Sequence, residues 1–265
     1  MTETRFAFGE NWSKYAQLVD EERIAAATTS LTSMLGVEGL RGRSFLDIGC
    51  GSGLFSVAAA RLGARVHAFD YDPDSVATTR RMVDAFAPDA DIRVEQGDAL
   101  DRDYVSSLGT HDVVYSWGVL HHTGALWRAM DNAARCVRPG GLLFIALYNH
   151  QIFWSTYWTV VKRAYCRSPR PVQAILYGAY TVQQTLRGLV VDVLRGRDPR
   201  ARYRVGPRGM SIQRDRLDWL GGYPFETVRP VQVRQWAQGQ DLDEVRAELV
   251  GRRLGCNQFV FRRRH

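Results

Sequence analysis

The stretch F-L-D-I-G-C-G-S-G, residues 45–53, has the pattern of a short buried strand that runs into a glycine-rich turn. Its three glycines, Gly49, Gly51 and Gly53, stand at every second position. The dinucleotide-binding fingerprint G-x-G-x-x-G would place its third glycine at position 54, where this chain has Leu54. The spacing therefore argues against a dinucleotide, while the glycines still allow a close approach of backbone to ligand in front of a helix N-terminus.

The composition is that of an ordinary soluble globular protein. The chain has 265 residues, of which 45% are hydrophobic and 24% are charged. Its four cysteines are widely spaced, with no C-x-x-C pair and no Cys/His cluster, so we expect neither a metal site nor a disulfide framework. The N-terminus lacks a signal-peptide pattern, and no apolar run is long enough to cross a membrane, so a cytoplasmic protein is predicted.

The basic charge of the chain is confined to one segment. The net charge is +7, yet residues 162–208 hold eleven Lys or Arg against two acids, Asp192 and Asp198. The remainder is therefore slightly acidic, which argues against a general nucleic-acid binder.

Short apolar stretches alternate with helical patterns through the first 150 residues. The predicted strands, the last two of which form an antiparallel hairpin, are 44–48, 65–70, 92–96, 111–116, 142–148, 242–250 and 256–262. Such alternation predicts an α/β fold with a doubly wound, mostly parallel Rossmann-like sheet. Apolar residues at helical spacing within residues 150–205 predict one or two helices inserted after the fifth strand.

Five sequence elements occur in a fixed order between residues 44 and 149. They are F-L-D-I-G-C-G-S-G, H-A-F-D-Y-D, Q-G-D-A-L, D-V-V-Y-S-W-G-V-L-H-H and R-P-G-G-L-L-F-I-A-L. With this order and spacing, the segment resembles the class I S-adenosylmethionine (SAM)-dependent methyltransferases. The flanks resemble a bacterial subgroup that carries W-G-V-L-H-H-T-G and D-W-L-G-G-Y-P-F-E. The resemblance implies SAM as cofactor and methyl transfer as the reaction.

Acidic residues at three strand ends are expected to hold SAM. Asp70, which ends the second strand, can accept from both ribose hydroxyls, and Asp47 can face the amino group through water. Asp98 would accept from the adenine amino group while the N–H of Ala99 donates to the ring. Capping of turns is the alternative role for Asp70 and Asp98. The other residues expected around the cofactor are Trp12, Gly49, Cys50, Gly51, Gly53, Leu54, Tyr71, Trp117 and Leu120.

Two adjacent histidines follow the fourth strand, where the methyl group should lie. Histidine titrates near neutral pH, so His121 or His122 could take the proton of a hydroxyl acceptor. We favour His121, because the enzymes that this chain resembles carry an active-site carboxylate there. The alternative is that both histidines cap the next helix or bond structurally, and a neutral amine acceptor would need no base.

The walls of the acceptor pocket are expected from two further places. Tyr148 and Asn149 end the fifth strand and should reach the pocket, with Tyr148 also a candidate catalytic residue. The aromatic segment at 218–226 is predicted to be a turn-rich loop that brings Trp219 and Tyr223 to the substrate, a structural loop being the alternative.

Four segments are expected along the chain. They are an N-terminal helical lid at 1–40, a SAM-binding core at 41–149, a helical insert with substrate loops at 150–240 and a closing β-hairpin at 241–265. Residues 150–205 are interpreted in three ways: as a lid over the substrate, as a homodimer contact, or as a peripheral membrane contact, since Trp and Tyr stand beside Arg.

The reaction expected from the sequence is methyl transfer to oxygen or nitrogen of a small molecule, either a secondary metabolite or a sugar- or nucleotide-like compound. Lipid-linked and RNA acceptors are alternatives, although no RNA-binding module is recognisable. A non-catalytic SAM-fold binding protein is the third alternative, against which the intact Asp47, Asp70 and Asp98 argue.

Overall fold

The computed structural model describes residues 8–198 and 212–265 of the chain. The elements within these ranges are α1 Phe8–Ala16, α2 Glu21–Leu35, β1 Ser44–Ile48, α3 Leu54–Arg61, β2 Arg65–Asp70, α4 Pro73–Phe86, β3 Ile92–Gln96, α5 Arg102–Ser107, β4 His111–Trp117, a 3-10 turn Leu120–His122, α6 Leu126–Arg135, β5 Val137–Tyr148, α7 Ile152–Arg167, α8 Arg170–Leu194, α9 Ile212–Gly221, α10 Pro230–Gly239, β6 Leu242–Glu248 and β7 Cys256–Arg263.

The strands form one sheet in the order β3-β2-β1-β4-β5-β7-β6. Neighbours among β1 to β5 pair in parallel, whereas β7 pairs antiparallel with both β5 and β6. The predicted α/β fold class is confirmed, together with its C-terminal hairpin and its helical insert after the fifth strand. Because parallel strands end at the same edge, the glycine turn, Asp70 and the two histidines are brought to one side of the sheet.

Alternate side chains of β1 enter two separate cores, because successive residues of a strand point to opposite faces. Phe45 is buried with residues of α2, α3 and α4, among them Leu31. Leu46 and Ile48 are buried on the other face with residues of α6 and α10, among them Met130. A strand covered on both faces needs apolar residues at successive positions, which explains the run that precedes the glycine turn.

Asp72 fixes the start of α4 directly behind β2. Its side chain accepts a hydrogen bond from the N–H of Asp74 at 2.9 Å, and Pro73 occupies the first turn of the helix. An Asp followed directly by Pro is a helix-start pattern that is visible in the sequence. Since β2 ends at Asp70, the cap holds that carboxylate at a sharp turn beside the glycine loop.

Local structure departs from the sequence prediction in three places. Helix α5 was not predicted, although Asp101 caps it by accepting from the N–H groups of Asp103 and Tyr104. Strand β5 begins at Val137 rather than 142, because the R-P-G-G stretch belongs to the strand, which pairs with β4 with a shift in register between His111 and Val113. Residues 218–221, predicted to lie in a loop, form the last turn of α9. The predictions for residues 1–7 and 199–211 lie outside the described residues.

The helical insert is attached to the sheet by few buried residues. Helix α7 buries Ser155, Trp158, Lys162 and Tyr165. In contrast, only Gly188 and Asp192 are buried among the 25 residues of α8. Within the part of the chain that the structure describes, no helix combines the length and apolar character needed to span a bilayer.

Candidate functional site

The glycine turn after β1 is packed closely against side chains, so that a Cβ would clash at Gly49 and fit tightly at Gly51. A Cβ at Gly49 would lie 2.4 Å from Cγ1 of Val119, and one at Gly51 would lie 3.2 Å from the indole of Trp12. Both glycines have positive φ angles, 77° and 56°. Val119, which follows β4, was not expected at the turn, whereas the neighbouring Leu120, expected beside the cofactor, is fully buried in the second core.

The carboxylate of Asp70 ties the glycine turn to the end of β2. Its Oδ2 accepts from the N–H of Gly51 and its Oδ1 from the N–H of Asp72, each at 2.9 Å. Burial raises the pKa of Asp70 to about 6, despite these two bonds, which act in the opposite direction. Each oxygen retains a further lone pair, so the group can still accept from two hydroxyls of a ligand.

Asp47 lies beneath the glycine turn and is almost completely buried, at 2% exposure. Its Oδ2 accepts from the hydroxyl of Ser56 at 2.5 Å. Burial, assisted by the nearby negative charge of Asp70, raises the pKa of Asp47 to about 7, whereas the Ser56 bond lowers it. A cationic ligand group near this carboxyl would favour its ionised form.

Two other residues of the predicted cofactor set lie in the β3–α5 turn. Oδ1 of Asp98 accepts from the N–H of Leu100 at 2.8 Å, so Asp98 has the turn-capping bond that the sequence allowed as its alternative. The carbonyl of Ala99 accepts from the side-chain amide of Asn132 on α6 at 2.9 Å. This bond anchors the turn to α6 and does not involve Asp98.

Helix α1 covers the glycine turn and the start of α4. The N–H of Gly9 donates to Oδ2 of Asp72 at 2.9 Å, and Arg81 on α4 donates to the hydroxyl of Ser13 at 3.0 Å. The ring of Phe8 lies 5.1 Å from that of His122, centroid to centroid. Through these contacts and Trp12, α1 reaches from the cofactor side of the sheet edge to the two histidines.

His121 is completely buried at the end of β4. Its Nδ1 accepts from the N–H of Tyr148 at 3.4 Å, while its Nε2 has no hydrogen-bond partner within the described residues. A neutral imidazole that accepts through Nδ1 carries its hydrogen on Nε2. Burial, and then the charges of His122 and Lys162, hold the pKa of His121 well below its usual value. The ring is therefore a neutral, buried N–H donor.

His122 is held by the loop that follows α9. Its Nδ1 lies 2.7 Å from the carbonyl oxygen of Pro224, so Nδ1–H donates to it. Burial, and then the charge of Lys162, lowers the pKa of His122 to about 3. With one nitrogen committed to a backbone carbonyl, His122 has the structural bond that was the alternative to catalysis, and only its second nitrogen is available for chemistry.

An aromatic cluster adjoins the buried imidazole of His121 through the ring of Tyr148. The ring centroid of Tyr148 lies 4.0 Å from that of His121, 4.9 Å from that of Phe225 and 5.4 Å from that of Trp219. The predicted substrate residue Trp219 and the candidate Tyr148 are thus brought together with His121. Phe225 completes the cluster but was not singled out from the sequence.

Lys162 also belongs to this cluster, although no sequence pattern indicated it. Its side chain is completely buried, and its Nζ lies 4.4 Å from the ring of Trp219 and 4.6 Å from that of Phe225. The ammonium also donates to the carbonyl of Trp219. Rings that face a cation stabilise it when it is removed from water. A position in mid-helix, among other basic residues, carries no local signal of this environment.

Other residues predicted for the site have contacts elsewhere. Trp117 donates through Nε1 to Gln258 at 2.9 Å, which joins β4 to β7 across β5. Asn149, expected in the same pocket as Tyr148, is instead joined to the β6–β7 hairpin, donating to the carbonyl of Gly251 and accepting from Asn257. Tyr71 is 56% exposed. Tyr223 directly precedes Pro224, and the carbonyl of Pro224 accepts from His122.

Cys50 and Leu54 support the turn from the core side. Both are buried, and the sulfur of Cys50 accepts from the hydroxyl of Thr79 at 3.3 Å. Within the described ranges, no group of three His, Cys, Asp or Glu side chains could hold a metal ion.

The core of the chain is similar in sequence to methyltransferases. Residues 46–145 match a family model described as a methyltransferase domain. The ubiquinone biosynthesis O-methyltransferase of Methylobacterium sp. (strain 4-46) is 36% identical over 115 residues, which cover 43% of this chain and 45% of that protein. The enzyme of the same name from Methylocella silvestris is 36% identical over 116 residues, 44% of this chain and 43% of that protein. The chain spans less than half the length of the curated relatives it matches.

A solved structure supports the same fold over a larger part of the chain. Magnesium protoporphyrin IX methyltransferase from Synechocystis PCC 6803, crystallised with bound SAH, aligns with a TM-score of 0.53 at 15% identity. The alignment covers 92% of this chain and 88% of that one. Together with the match of residues 46–145 to a methyltransferase domain, it supports the α/β fold that the sequence motifs indicated.

Proposed function

We propose that this chain, which belongs through residues 46–145 to the class I SAM-dependent methyltransferases, transfers the methyl group of SAM to a hydroxyl oxygen of a small aromatic molecule. The observation that carries the proposal is the buried Nε2–H of His121, which has no partner in the described structure. A buried donor without an acceptor is costly, and a ligand oxygen would satisfy it. The relatives named O-methyltransferases favour oxygen over nitrogen.

The residues at the sheet edge fit SAM. The glycine turn offers backbone without side chains, and Asp70 keeps two lone pairs for the ribose hydroxyls. SAM supplies an activated methyl group, so the protein mainly has to align the acceptor. We assign Asp70 to the ribose, Asp47 to the amino end, and Trp12 to the cover above Gly51.

His121 acts on the acceptor oxygen. Methyl transfer from SAM to a hydroxyl would form the O–CH3 bond, break the S–CH3 bond and release the hydroxyl proton. The Nε2–H of His121 would donate to this oxygen and lower its pKa, so that the acceptor reacts as the phenolate and its proton passes to water. The positive charge of Lys162 nearby favours the same anion. The general-base role predicted for His121 instead requires hydrogen on Nδ1, which faces the N–H of Tyr148.

Aromatic walls favour a planar acceptor. Tyr148, Trp219 and Phe225 pack against one another beside His121, and a ring that enters between them would stack edge-on or offset. This contact surface suits a phenol or catechol better than a sugar, which would require more hydrogen-bonding groups.

The test compares matched acceptors. Labelled SAM would be incubated with the purified protein and catechol, or with the amine of the same skeleton, 2-aminophenol, and the product analysed for the methylated atom. We expect O-methylated product from both compounds. Exclusive N-methylation of 2-aminophenol, with no turnover of catechol, would overturn the proposal, while calorimetry with SAM shows separately whether the cofactor binds.

A further inference from the structure

The helical insert exposes an unusual amount of apolar surface. Among the described residues, fourteen of the twenty-one exposed large hydrophobic side chains lie on α7 and α8. The most exposed of them are Phe153 at 83%, Leu194 at 80%, Ile175 at 71% and Ile152 at 70%. Soluble monomers seldom leave a contiguous apolar surface of this extent uncovered.

The apolar side chains of α8 are aligned along one side of the helix. They recur at intervals of three, four or seven residues, at Val172, Ile175, Val182, Leu186, Leu189 and Val193. This spacing gives a continuous stripe along a helix about 37 Å long. Since α8 buries only Gly188 and Asp192, the residues of the stripe remain between 40% and 71% exposed.

The charges beside this surface have one sign. Six exposed arginines lie on or directly after the two helices, at Arg163, Arg167, Arg170, Arg187, Arg195 and Arg197, while the only exposed acid between 152 and 198 is Asp198. Trp154 and Tyr157, both more than half exposed, stand in the first turns of α7. An apolar stripe with aromatic and basic neighbours is the composition of helices that lie in the interface of an anionic bilayer.

The same helix that carries this surface also borders the acceptor site. Helix α7 begins four residues after Tyr148, and its inner side bears Lys162 and Trp158, both of which contact Trp219. Its outer side bears Phe153 and Tyr157. A partner that covers the outer side therefore lies one helix away from His121.

We propose that α7 and α8 dock on an anionic lipid bilayer, and that the acceptor is a lipid-soluble aromatic hydroxyl compound that enters from it. The acceptor part rests on the function proposed above, whereas the docking part does not. A second copy of the chain suits the surface less well, because a symmetric contact would bring six arginines against six. Anionic headgroups neutralise the same charges.

The docking test uses vesicles of two compositions. The whole protein would be sedimented with phosphatidylcholine vesicles that contain, or lack, about one third phosphatidylglycerol. We expect at least about tenfold more bound protein on the anionic vesicles, falling as salt is raised. Phe153→Ser combined with Trp154→Ser should abolish binding, as should Arg187→Glu combined with Arg195→Glu.

Matched variants separate docking from general surface chemistry. Val231→Ser on α10 and Arg128→Glu on α6 change exposed residues away from the insert and should leave binding unchanged. Circular dichroism of each variant checks that it folds. Equal binding to both vesicle types would overturn the docking proposal. So would the absence of binding to either type, and a concentration-dependent dimer seen by light scattering would then identify a second copy of the chain as the partner.

Activity measurements separate the docking surface from the catalytic site. The docking variants should methylate catechol in solution at the unchanged rate, but lose at least about tenfold of their rate on a prenylated catechol presented in anionic vesicles. Loss of both activities would point to the catalytic site, and an unchanged vesicle rate would refute entry from the bilayer. Failure of catechol turnover in the unmodified protein would count against the proposed function alone.

Discussion

The backbone N–H of Tyr148 points at Nδ1 of His121 across 3.4 Å, and so places the imidazole hydrogen on Nε2. The contact joins the end of β5 to the turn after β4, two neighbouring strands of the sheet. Since burial keeps the ring neutral, the position of this hydrogen decides whether His121 donates to the acceptor or takes its proton. The two roles can be separated by substitution.

We predict that His121→Gln retains most of the activity on catechol, while His121→Ala loses about 100- to 1000-fold in kcat. Glutamine places an N–H near the position of Nε2 but cannot serve as a base, so it preserves only the donor role. Steady-state kinetics of both variants provide the measurement. Equal losses in His121→Gln and His121→Ala would support the base and exclude the donor.

Cofactor affinity should depend on pH through Asp70. Below its pKa of about 6 the carboxyl gains a proton and loses its capacity to accept from both ribose hydroxyls. The Kd for SAM should therefore be flat above neutral pH and about tenfold weaker at pH 5. Calorimetry across this range measures the change, and Asp70→Asn should bind weakly with no such dependence. A wild-type profile as flat as that of the variant would contradict the assignment.

Stability without cofactor should show the opposite trend. Folding raises the pKa of Asp70 from 3.8 to about 6, so the folded protein holds a proton that the unfolded chain releases between these values. The contribution to stability is complete below pH 3.8 and is lost as pH rises through about 6. Thermal unfolding of wild type and Asp70→Asn, with and without SAM, should show both the loss of SAM binding at acid pH and the loss of cofactor-free stability as pH rises. A cofactor-free wild type that is destabilised only at acid pH would contradict this prediction.

Replacing Lys162 by methionine should change the titration of the histidines more than the stability. The ammonium lowers the pKa values of both His121 and His122, so its removal should raise them. Methionine keeps most of the side-chain length and packs among the same aromatic rings. We therefore expect the free energy of unfolding to stay within about 1 kcal/mol of the wild-type value. NMR titration of the imidazoles measures the first effect. Arg163→Met, one residue away and exposed, is the control and should move neither pKa.

The contact between Gly49 and Val119 predicts a rescue. A Cβ at Gly49 would meet Cγ1 of Val119 at 2.4 Å in addition to the strain of a positive φ, so Gly49→Ala should cost about 3 kcal/mol. Combining it with Val119→Ala, which removes Cγ1 and Cγ2, should recover most of the steric part and leave mainly the backbone cost of about 1 kcal/mol. Gly42→Ala, with φ 72° and nothing within 4 Å, should cost the backbone part alone. Urea unfolding tests this, and additive losses in the double variant would refute the contact.

The sequence predicted those parts of the molecule that depend on short-range signals. Patterns within a few residues of one another predict the run from Phe45 to Gly53 and the succession of strands along the chain. The start of α4 at Asp72 and Pro73 is marked by a local pattern of the same kind. Helix α5 was missed although Asp101 offered a cap, because its six residues are too short to show helical periodicity. The predicted fifth strand began five residues late, at 142, since the pairing of Val137 with β4 is not visible in a local pattern.

The acceptor side could not be predicted, because it is assembled from distant parts of the chain. Lys162 meets Trp219 across 57 residues, and His122 meets Pro224 across 102. Each partner is an ordinary residue in its own segment. Asn149 shows the reverse: it was singled out as a pocket residue, yet its amide is bonded to the distant Gly251 and Asn257, contacts that only the folded hairpin provides.

The position of β7 sets a constraint on how the protein is made. This strand lies between β5 and β6, although it follows both in the chain. Until residues 256–263 have left the ribosome, β6 has no partner strand. One edge of β5, which includes the apolar run from Leu142 to Leu147, also stays unpaired. Such an open edge recruits other chains. Synthesis therefore passes through a long interval in which a nearly complete sheet is prone to aggregate, and it ends only when the last strand is inserted.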